Sequence, residues 1–373
     1  MSQHEPGGMA EPTACLSVRL GAVRRNYRLC VDLAGRAEAA GVVKAGGYGL
    51  GMEQVAPVLF GAGCRTFFVA RLSEGVRLRP LLPQARIFVL DGAVEQSVEV
   101  LNSFRLIPVL NSLDQVRIWQ KAAQARRTTL DAALHVDTGM SRLGLPEDEI
   151  GVLSAEAAQR LAGLNLVLIM SHLACADDPG SAMNAAQRDR FRDALARLPV
   201  APASLAASAG IQLGHDYCFD LVRPGLALYG GNPQPRNPNP FDAAAVLAGR
   251  ILQLRRVDKG QTVGYGATFR CERPSTLATV GLGYADGLMR AIGNRGMGAI
   301  AGIRVPVVGR VSMDLLTLDV TDVLHHDPAR GTEVEFLGDT ITLEELALAA
   351  NTASYEILTS LGSRLERRYI EAP

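Results

Sequence analysis

The sequence predicts an α/β fold in which an N-terminal (β/α)8 TIM-like barrel is followed by a predominantly β-stranded C-terminal domain. Three observations lead to this prediction. Apolar runs typical of buried parallel strands alternate with helix-period segments up to residue 229. A stretch dense in Pro and Asn, residues 230–240, then ends the alternation. Beyond it, strand-like runs follow one another without long helices between them.

The barrel prediction depends on the number and order of the strand-like runs. A first strand near 15–21, which we expect to pack with the C-terminal domain, and a helix at 22–38 precede them. The eight candidate barrel strands then lie at 41–45, 66–70, 86–90, 106–110, 132–137, 166–172, 203–208 and 221–229. Eight strands that alternate with helices favour a closed barrel over an open sheet. The predicted barrel domain is therefore 15–240.

The second domain is predicted to span 241–373. Its strand-like runs lie at 249–257, 276–281, 304–308, 315–320 and 333–336. Two short helix-period segments, 343–350 and 355–361, follow them. This order of elements is typical of a β-rich domain that is separate from the barrel.

Charge and cysteine content narrow the class of partner and the compartment. The 373-residue chain carries 38 basic and 38 acidic residues, so no net field attracts nucleic acid or an acidic membrane. No apolar run approaches a membrane span, and residues 1–14 lack the features of a signal peptide. Because neither nucleic acid nor a membrane is favoured, we expect a small-molecule partner.

The six scattered cysteines, without a CxxC pair, favour free thiols over disulfides or a zinc site, and this predicts the cytoplasm as the compartment.

Candidate catalytic residues lie where the predicted barrel strands end. In barrels of this kind the catalytic groups come from the carboxyl ends of the strands. The polar residues at those positions are Lys44, Arg142, His172, Ser208 and Arg223. Because all five lie at or near the carboxyl ends of predicted strands, they are difficult to explain as ordinary surface residues.

Lysine is rare in this chain, which singles out Lys44. Only three of the 38 basic residues are lysines, and two of them, Lys121 and Lys259, fall on a helix face and in a turn. Lys44 instead follows two valines of a buried strand and precedes the glycine-rich loop 46–51. Burial lowers the pKa of a lysine, which suits it to form a Schiff base.

The sequence around these residues resembles the alanine racemase family. Eight blocks agree with that family in the same order and span most of the chain. They are VVKAGGYGLG (42–51), HVDTGMSRLG (135–144), MSHLA (170–174), VRPGLALYG (222–230), VGYGATF (263–269), GLGYADG (281–287), GRVSMD (309–314) and YEILT (355–359).

The resemblance implies a racemase that uses pyridoxal phosphate and interconverts L- and D-alanine. Lys44 would hold the cofactor as a Schiff base and act as one of two catalytic bases. Tyr265 would be the other base, supplied by the second subunit of a homodimer that shares its active sites. A tyrosine phenol titrates near pH 10, so a neighbour must tune it, and His172 linked to Arg223 is the expected tuner.

The resemblance also implies which residues bind the cofactor and the substrate. Arg223 would face the pyridine nitrogen and, being always protonated, would make the ring a weaker electron sink that discourages transamination. Arg142 and the Met313 N–H would bind the substrate carboxylate, and Arg142 also the cofactor's phenolic oxygen. Tyr284 and Asp314 are expected at the entrance. The phosphate ligands would be Tyr48, Ser208, Tyr355 and the backbone N–H groups of Gly225 and Leu226.

Four positions depart from the family pattern. Gly46 and Leu50 replace commonly polar residues, and Ala207 stands where asparagine usually precedes the phosphate serine. His135 takes a position where many members carry a carbamylated lysine that braces the arginine. A histidine cannot form that carbamate, so another group, an anion or a side chain, must brace Arg142.

Other functions remain open at this point. A serine or broad-spectrum racemase is one alternative, because pockets discriminate methyl from hydroxymethyl poorly. A decarboxylase of basic amino acids on the same barrel would pair an acid, rather than Arg223, with the pyridine nitrogen. A non-catalytic pyridoxal-phosphate-binding protein would lack the C-terminal domain and Tyr265. His325 and His326 could suggest a metal site, but adjacent histidines point in different directions, and a solvated loop is the favoured interpretation.

Overall fold

The computed structural model describes residues 12–371, which form two compact units. Residues 20–242 form the barrel unit, and residues 12–19 join 243–371 in the C-terminal unit. Residues 1–11, most of the segment in which the sequence predicts no signal peptide, lie outside the described residues.

The barrel unit contains a parallel sheet that confirms the predicted fold class. Its strands are buried on both faces, as in Thr66–Val69 and Ile107–Leu110, where every residue is buried. The strands in order are Glu38–Ala39 continued by Gly41–Val42, Thr66–Val69, Arg86–Val89, Ile107–Leu110, Leu130–His135, Leu164–Met170, Ala203–Ser204 and Leu221–Val222.

Residues 38–42 close the barrel because they pair with a neighbour on each side. On one side they pair in parallel with Thr66–Val69, and on the other with Leu221–Val222. A parallel bridge between Ala207 and Arg223 joins the seventh strand to the eighth. The closed sheet brings the carboxyl ends of all eight strands to one face.

Helices follow most of the strands and cover the sheet. Longer ones such as Leu113–Arg126 are amphipathic, and Ser112 caps its first turn by accepting from the Gln115 N–H. The helices are Leu20–Ala34, Lys44–Tyr48, Met52–Gly61, Leu72–Leu78, Val98–Ser103, Leu113–Arg126, Glu147–Ala155, Ala157–Arg160, Ala182–Arg197 and Ser208–Ile211.

The eighth strand is shorter than the predicted run 221–229. Regular strand is limited to Leu221–Val222. Pro224 has no N–H to donate to a sheet, which ends the strand there. The residues Leu226–Tyr229 form a 3-10 helix instead. The prediction of a single strand over 221–229 is wrong because a short buried helix is as apolar as a buried strand, so the apolar run does not distinguish them.

The C-terminal unit contains a mostly antiparallel sheet and two α-helices. Ala14–Arg19 lies in this sheet, antiparallel to Ala245–Val257 and parallel to Glu366–Ile370. The helices are Leu343–Ala350 and Ser354–Ser360. The remaining strands are Thr262–Val263, Phe269–Arg270, Ser275–Val280, Met297–Ile300, Ile303–Pro306, Leu316–Asp319 and Glu333–Leu337.

Three further findings bear on the class of protein. Within residues 12–371, none of the helices is both long enough and apolar enough to cross a membrane. All six cysteines are free. In the same part of the chain, no three His, Cys, Asp or Glu side chains form a group that could hold a metal ion.

Candidate active site

Lys44 opens a left-handed turn at the carboxyl end of the first barrel strand. The next four residues have positive φ angles: 52° at Ala45, 62° at Gly46, 68° at Gly47 and 54° at Tyr48. A left-handed residue with a Cβ costs about 1–2 kcal/mol, so glycine is favoured at the two central positions. The turn points Lys44 out of the strand and returns Tyr48 to the buried interior.

The surroundings of Lys44 favour its neutral form. Burial lowers the pKa of its amine, and the nearby Arg142 and Arg223 guanidinium groups lower it further. The carboxylates of Glu74 and Asp91 oppose this shift. The other two lysines are exposed to solvent. Lys44 is therefore the lysine of this chain whose surroundings favour the neutral amine that a nucleophile or base requires.

Arg223 lies beneath the site with its side chain buried. Its Nη2 donates to Ser171 O at 2.6 Å, to Leu205 O at 3.3 Å and to His172 Nδ1 at 3.4 Å. Its Nη1 donates to the hydroxyl of Ser204. Burial lowers the pKa of Arg223, but this set of acceptors stabilises the protonated guanidinium.

His172 is held as a neutral ring. Burial is the main cause that lowers its pKa to about 3, and the positive charges of Arg223 and Arg142 add to it. Arg223 can only donate, so the Nδ1 of His172 must accept, and its proton must sit on Nε2. His172 therefore offers one hydrogen-bond donor, Nε2–H, away from the arginine.

Ser208 and the turn after the eighth strand form a cluster of donors that fits a phosphate. The Ser208 hydroxyl accepts from the N–H groups of Gly225 at 2.9 Å and Ala227 at 3.2 Å. Leu226 begins the 3-10 helix, where its N–H has no intrahelical acceptor. A Cβ on Gly225 would lie 2.1 Å from the Tyr48 hydroxyl oxygen, so only glycine allows this approach. Amides and hydroxyls that converge in this way suit an anion.

The loop that carries Arg142 is held through Asp137. The Asp137 carboxylate accepts from the backbone N–H groups of Gly139 and Met140, both at 2.9 Å, and of Ser141 at 3.0 Å. Arg142 itself is exposed, and the interactions resolved for residues 12–371 give its guanidinium no hydrogen bond or ion pair. Its donors remain available for a ligand.

His135 does not hydrogen-bond to Arg142. Its Nδ1 donates to Asn111 Oδ1 at 2.8 Å, and Asn111 in turn donates to two backbone carbonyls. Burial, followed by the charge of Arg223, lowers the pKa of His135 to about 4. This position therefore contributes a neutral ring, and Arg142 is held by its loop rather than by a side-chain brace.

The other departures from the family pattern have local explanations. Gly46 occupies a left-handed position, and Leu50 is completely buried. Ala207 precedes the helix Ser208–Ile211 without capping it through a side chain. None of the three disturbs the donors around Ser208.

The remaining predicted residues lie in the C-terminal unit, at its surface. Tyr265 is 71% exposed in a short turn between two glycines with positive φ. Met313 is 53% exposed, and its carbonyl accepts from the Ala285 N–H, which places Tyr284 beside it. Asp314 pairs with Arg364 at 2.8 Å. Tyr355 is half exposed in the first turn of Ser354–Ser360.

Three residues that contact the predicted set were missed by the sequence analysis: Glu74, Asn111 and Ser204. Asn111 directly follows the fourth strand and Ser204 ends the seventh, so the strand-end criterion that selected Lys44 could have found both. Glu74 lies in the first turn of Leu72–Leu78, where no such criterion applies.

Two family models match the chain. The model described as alanine racemase, N-terminal domain, matches residues 18–233. The model described as alanine racemase, C-terminal domain, matches residues 244–369. The boundary between the two matches falls at the joint between the two units.

Similar proteins match over nearly the whole chain. The alanine racemase of Rhodospirillum rubrum is 51% identical over 362 residues, which are 96% of each chain. A catabolic alanine racemase of Agrobacterium fabrum is 44% identical and covers 95% of this chain and 92% of its own. The crystal structure of alanine racemase from Bartonella henselae with covalently bound pyridoxal phosphate superposes with a TM-score of 0.92. Its sequence identity is 41%, with 96% of this chain and 100% of that chain covered.

Proposed function

The chain belongs to the alanine racemase family of pyridoxal-phosphate-dependent racemases, and on that premise we propose that it interconverts L- and D-alanine in the cytoplasm. Two groups, Lys44 and Tyr265 of the partner subunit, exchange the proton at the substrate Cα from opposite faces. The observation that carries the proposal is the environment of Lys44, a half-buried amine whose pKa is lowered beside Arg142.

Lys44 would bind the cofactor covalently. Its phosphate would be bound by Tyr48, Ser208, Tyr355 and the N–H groups of Gly225 and Leu226. The close approach of Gly225 to Tyr48 and the Leu226 N–H, which has no intrahelical acceptor, support this assignment. The Gly225 N–H donates to the Ser208 hydroxyl in the structure and would turn to the phosphate when the cofactor binds. When bound, pyridoxal phosphate supplies an electron sink that makes the substrate Cα–H acidic.

Lys44 and Tyr265 each hold or release one proton. The neutral amine of Lys44 can take the Cα proton on its side, while the Tyr265 hydroxyl returns one from the other side. A neutral amine is the form that accepts a proton, which is why the lowered pKa of Lys44 supports its role as a base. Inversion at Cα requires groups on two faces, and a single base would return the proton to the face it left.

Arg223 and His172 act behind these two bases. The Nε2–H of His172 donates to the Tyr265 oxygen of the partner subunit and stabilises its deprotonated form. Arg223 fixes the histidine tautomer by donating to Nδ1. Arg223 would lie near the pyridine nitrogen of the bound cofactor and, because a guanidinium stays protonated, would not give that nitrogen a proton. The cofactor would then be a weaker electron sink, which would favour return of the proton to Cα over transamination.

Arg142 and the Met313 N–H bind the substrate carboxylate. The N–H donors of the Arg142 guanidinium are available for the substrate, because the loop that carries Arg142 is held by the Asp137 carboxylate. Lys44 and Tyr265 belong to different units of the chain, and a homodimer with shared active sites combines them. The same reaction supplies D-alanine for peptidoglycan or L-alanine for catabolism.

Chiral chromatography tests the reaction and the substrate together. Purified protein loaded with pyridoxal phosphate is incubated with L-alanine and, separately, with L-serine. We expect D-alanine to form faster than D-serine, Lys44→Ala to form neither, and the exposed-lysine control Lys121→Ala to retain activity. Comparable rates on both substrates would indicate a broad-spectrum racemase. No D-isomer from either would refute the racemase proposal.

Subunit mixing tests the shared site. Lys44→Ala and Tyr265→Phe chains are each inactive, but a mixed dimer contains one intact site and one doubly altered site. Random exchange should therefore restore about a quarter of wild-type activity. Mixing Lys44→Ala with itself is the control. Confirmed exchange without recovery would show that Lys44 and Tyr265 do not act across subunits.

A further inference from the structure

Glu74 ties the turn that carries Lys44 to the end of the second barrel strand. Its Oε1 accepts from the Ala45 N–H at 2.6 Å. Its Oε2 accepts from the Ala70 N–H at 2.9 Å and the Arg71 N–H at 3.1 Å. One carboxylate therefore joins the backbone directly after Lys44 to the backbone that follows Thr66–Val69.

The turn needs such a contact because its backbone is unfavourable. Ala45 and Tyr48 both have a Cβ and adopt positive φ angles of 52° and 54°. Residues of this kind persist in the left-handed region only where surrounding contacts determine them. Hydrogen bonds from N–H groups to an ionised carboxylate are among the strongest available for this purpose. Glu74 supplies one to Ala45, the first left-handed residue.

We propose that Glu74 is a positioning residue that holds the left-handed turn 45–48 and thereby directs Lys44 into the site. Its negative charge acts on the same amine. Burial and the charges of Arg142 and Arg223 lower the pKa of the Lys44 amine, whereas Glu74 and Asp91 raise it. For its catalytic consequence the proposal rests on the proposed role of Lys44. The conformation of the turn can be tested without reference to that role.

The test uses the full chain and two matched variants. Glu74→Gln keeps the shape of the side chain but has one carbonyl oxygen, so it cannot accept at both Ala45 and Ala70. Glu53→Gln is the control, because Glu53 lies in the next helix and forms an exposed ion pair with Arg77. Hydrogen exchange of the backbone amides of residues 45–51 is the first measurement. We expect roughly tenfold faster exchange in Glu74→Gln and no change in Glu53→Gln.

Amine labelling of the cofactor-free full chain across pH is the second measurement. The two exposed lysines, Lys121 and Lys259, serve as internal references in every sample. Loss of the Glu74 charge should shift the midpoint for Lys44 to lower pH, because that charge raises the pKa of the amine. The references should not move, and neither should Lys44 in Glu53→Gln.

The outcomes separate this proposal from the proposed function. Unchanged amide exchange together with an unchanged Lys44 midpoint in Glu74→Gln would overturn the positioning role, whatever the enzyme catalyses. If wild-type protein racemises nothing, the proposed function fails, but both readouts still decide the role of Glu74. If Glu74→Gln does not fold, Glu74→Asp replaces it. This variant keeps the charge but shortens the reach, so faster exchange with little shift of the Lys44 midpoint is expected, and unchanged exchange would overturn the role.

Discussion

Two buried arginines at opposite ends of the barrel show how the same side chain can be used in two ways. Arg79 lies at the amino ends of the strands, where it is 8% exposed. Arg223 lies at the carboxyl ends and is 4% exposed. Burial lowers the pKa of both. Neither guanidinium has a carboxylate among the partners found in residues 12–371. Backbone carbonyls stabilise both, and Arg223 also bonds to the uncharged side chains of Ser204 and His172.

The two arginines differ in how completely their donors are used. All three nitrogens of Arg79 donate to backbone carbonyls, and these belong to Phe104, Leu82, Pro83, Ala85 and Arg105. Those carbonyls precede Arg86–Val89 and Ile107–Leu110, so Arg79 fixes the start of two strands. Arg223 uses Nη1 and Nη2, whereas its Nε has no partner within residues 12–371. A saturated buried arginine is structural, and one with a donor to spare can meet a ligand.

The largest effect is expected from Arg223→Lys. The ammonium cannot reproduce the planar set of donors to Ser171, Leu205 and Ser204, and it removes the free Nε. We expect kcat for L-alanine to fall by at least about 100-fold, the usual cost of losing one oriented donor in an active site. Steady-state kinetics measure it. The same exchange at Arg79 should leave kcat within about twofold, and an equal loss there would remove the distinction between the two arginines.

Arg79→Lys should instead destabilise the barrel. Lysine offers three N–H donors, so at least two of the five carbonyls lose theirs, at a cost of roughly 2–4 kcal/mol. Thermal unfolding followed by circular dichroism should show a Tm lower by about 6 °C or more. Arg105→Lys is the control, because Arg105 is exposed and its side chain makes one long hydrogen bond. A Tm change as small as that of the control would contradict a structural role for Arg79.

The two ends should also differ in their response to pH. Burial and nearby arginines lower the pKa of His172 to about 3 and of His135 to about 4. Below a pH of about 6.5 the unfolded chain binds protons at both rings that the folded chain does not. The free energy of unfolding therefore has its full value above that pH and decreases as the pH falls. For each of the two histidines the decrease is at most about 1.4 kcal/mol per pH unit.

Urea unfolding at several pH values measures this slope. His135→Gln should make it shallower, since one of the two titrating rings is then absent. The carbonyls around Arg79 do not titrate, so Arg79→Lys should lower stability by a similar amount at every pH. A slope in His135→Gln equal to that of wild type would show that His135 is not kept neutral by the fold.

The difference between Arg79 and Arg223 also shows which parts of the fold and the site can be predicted from the sequence. The alternation of strands and helices predicted the barrel, and strand ends alone selected Lys44, His172 and Arg223, whose roles stay predictions. The sequence does not show which N–H donors of a buried arginine already have hydrogen-bond partners in the fold. Arg79 is bonded to carbonyls up to 26 residues away, and Arg223 to a residue 52 away. Those partners depend on how neighbouring strands are arranged, which no local pattern encodes.

The same limit applies to the strained turn at 45–48. Gly46 and Gly47 signal a turn, but Ala45 and Tyr48 are not residues that favour positive φ. The N–H of Ala45 donates to Glu74, which is 29 residues away in the chain. Tertiary contacts override local preference at this point, as is common where backbone strain serves a site.

The smallest effect is expected from Ser204→Ala, which removes the hydrogen-bond acceptor of Arg223 Nη1. The Ser204 hydroxyl accepts from Arg223 and donates to Leu221 O at 2.5 Å, and it is completely buried. Its loss leaves one donor and one acceptor without partners, and about 1–2 kcal/mol of stability should be lost. Because the hydrogen bonds of Nη2 still hold Arg223, kcat should fall only about threefold to tenfold.

Thr66→Val is the matched control. It removes a buried hydroxyl that is bonded to Glu38 at the amino end of the second strand. It should lower the Tm similarly with kcat unchanged, so equal kcat values for the two variants would show that Ser204 does not orient Arg223.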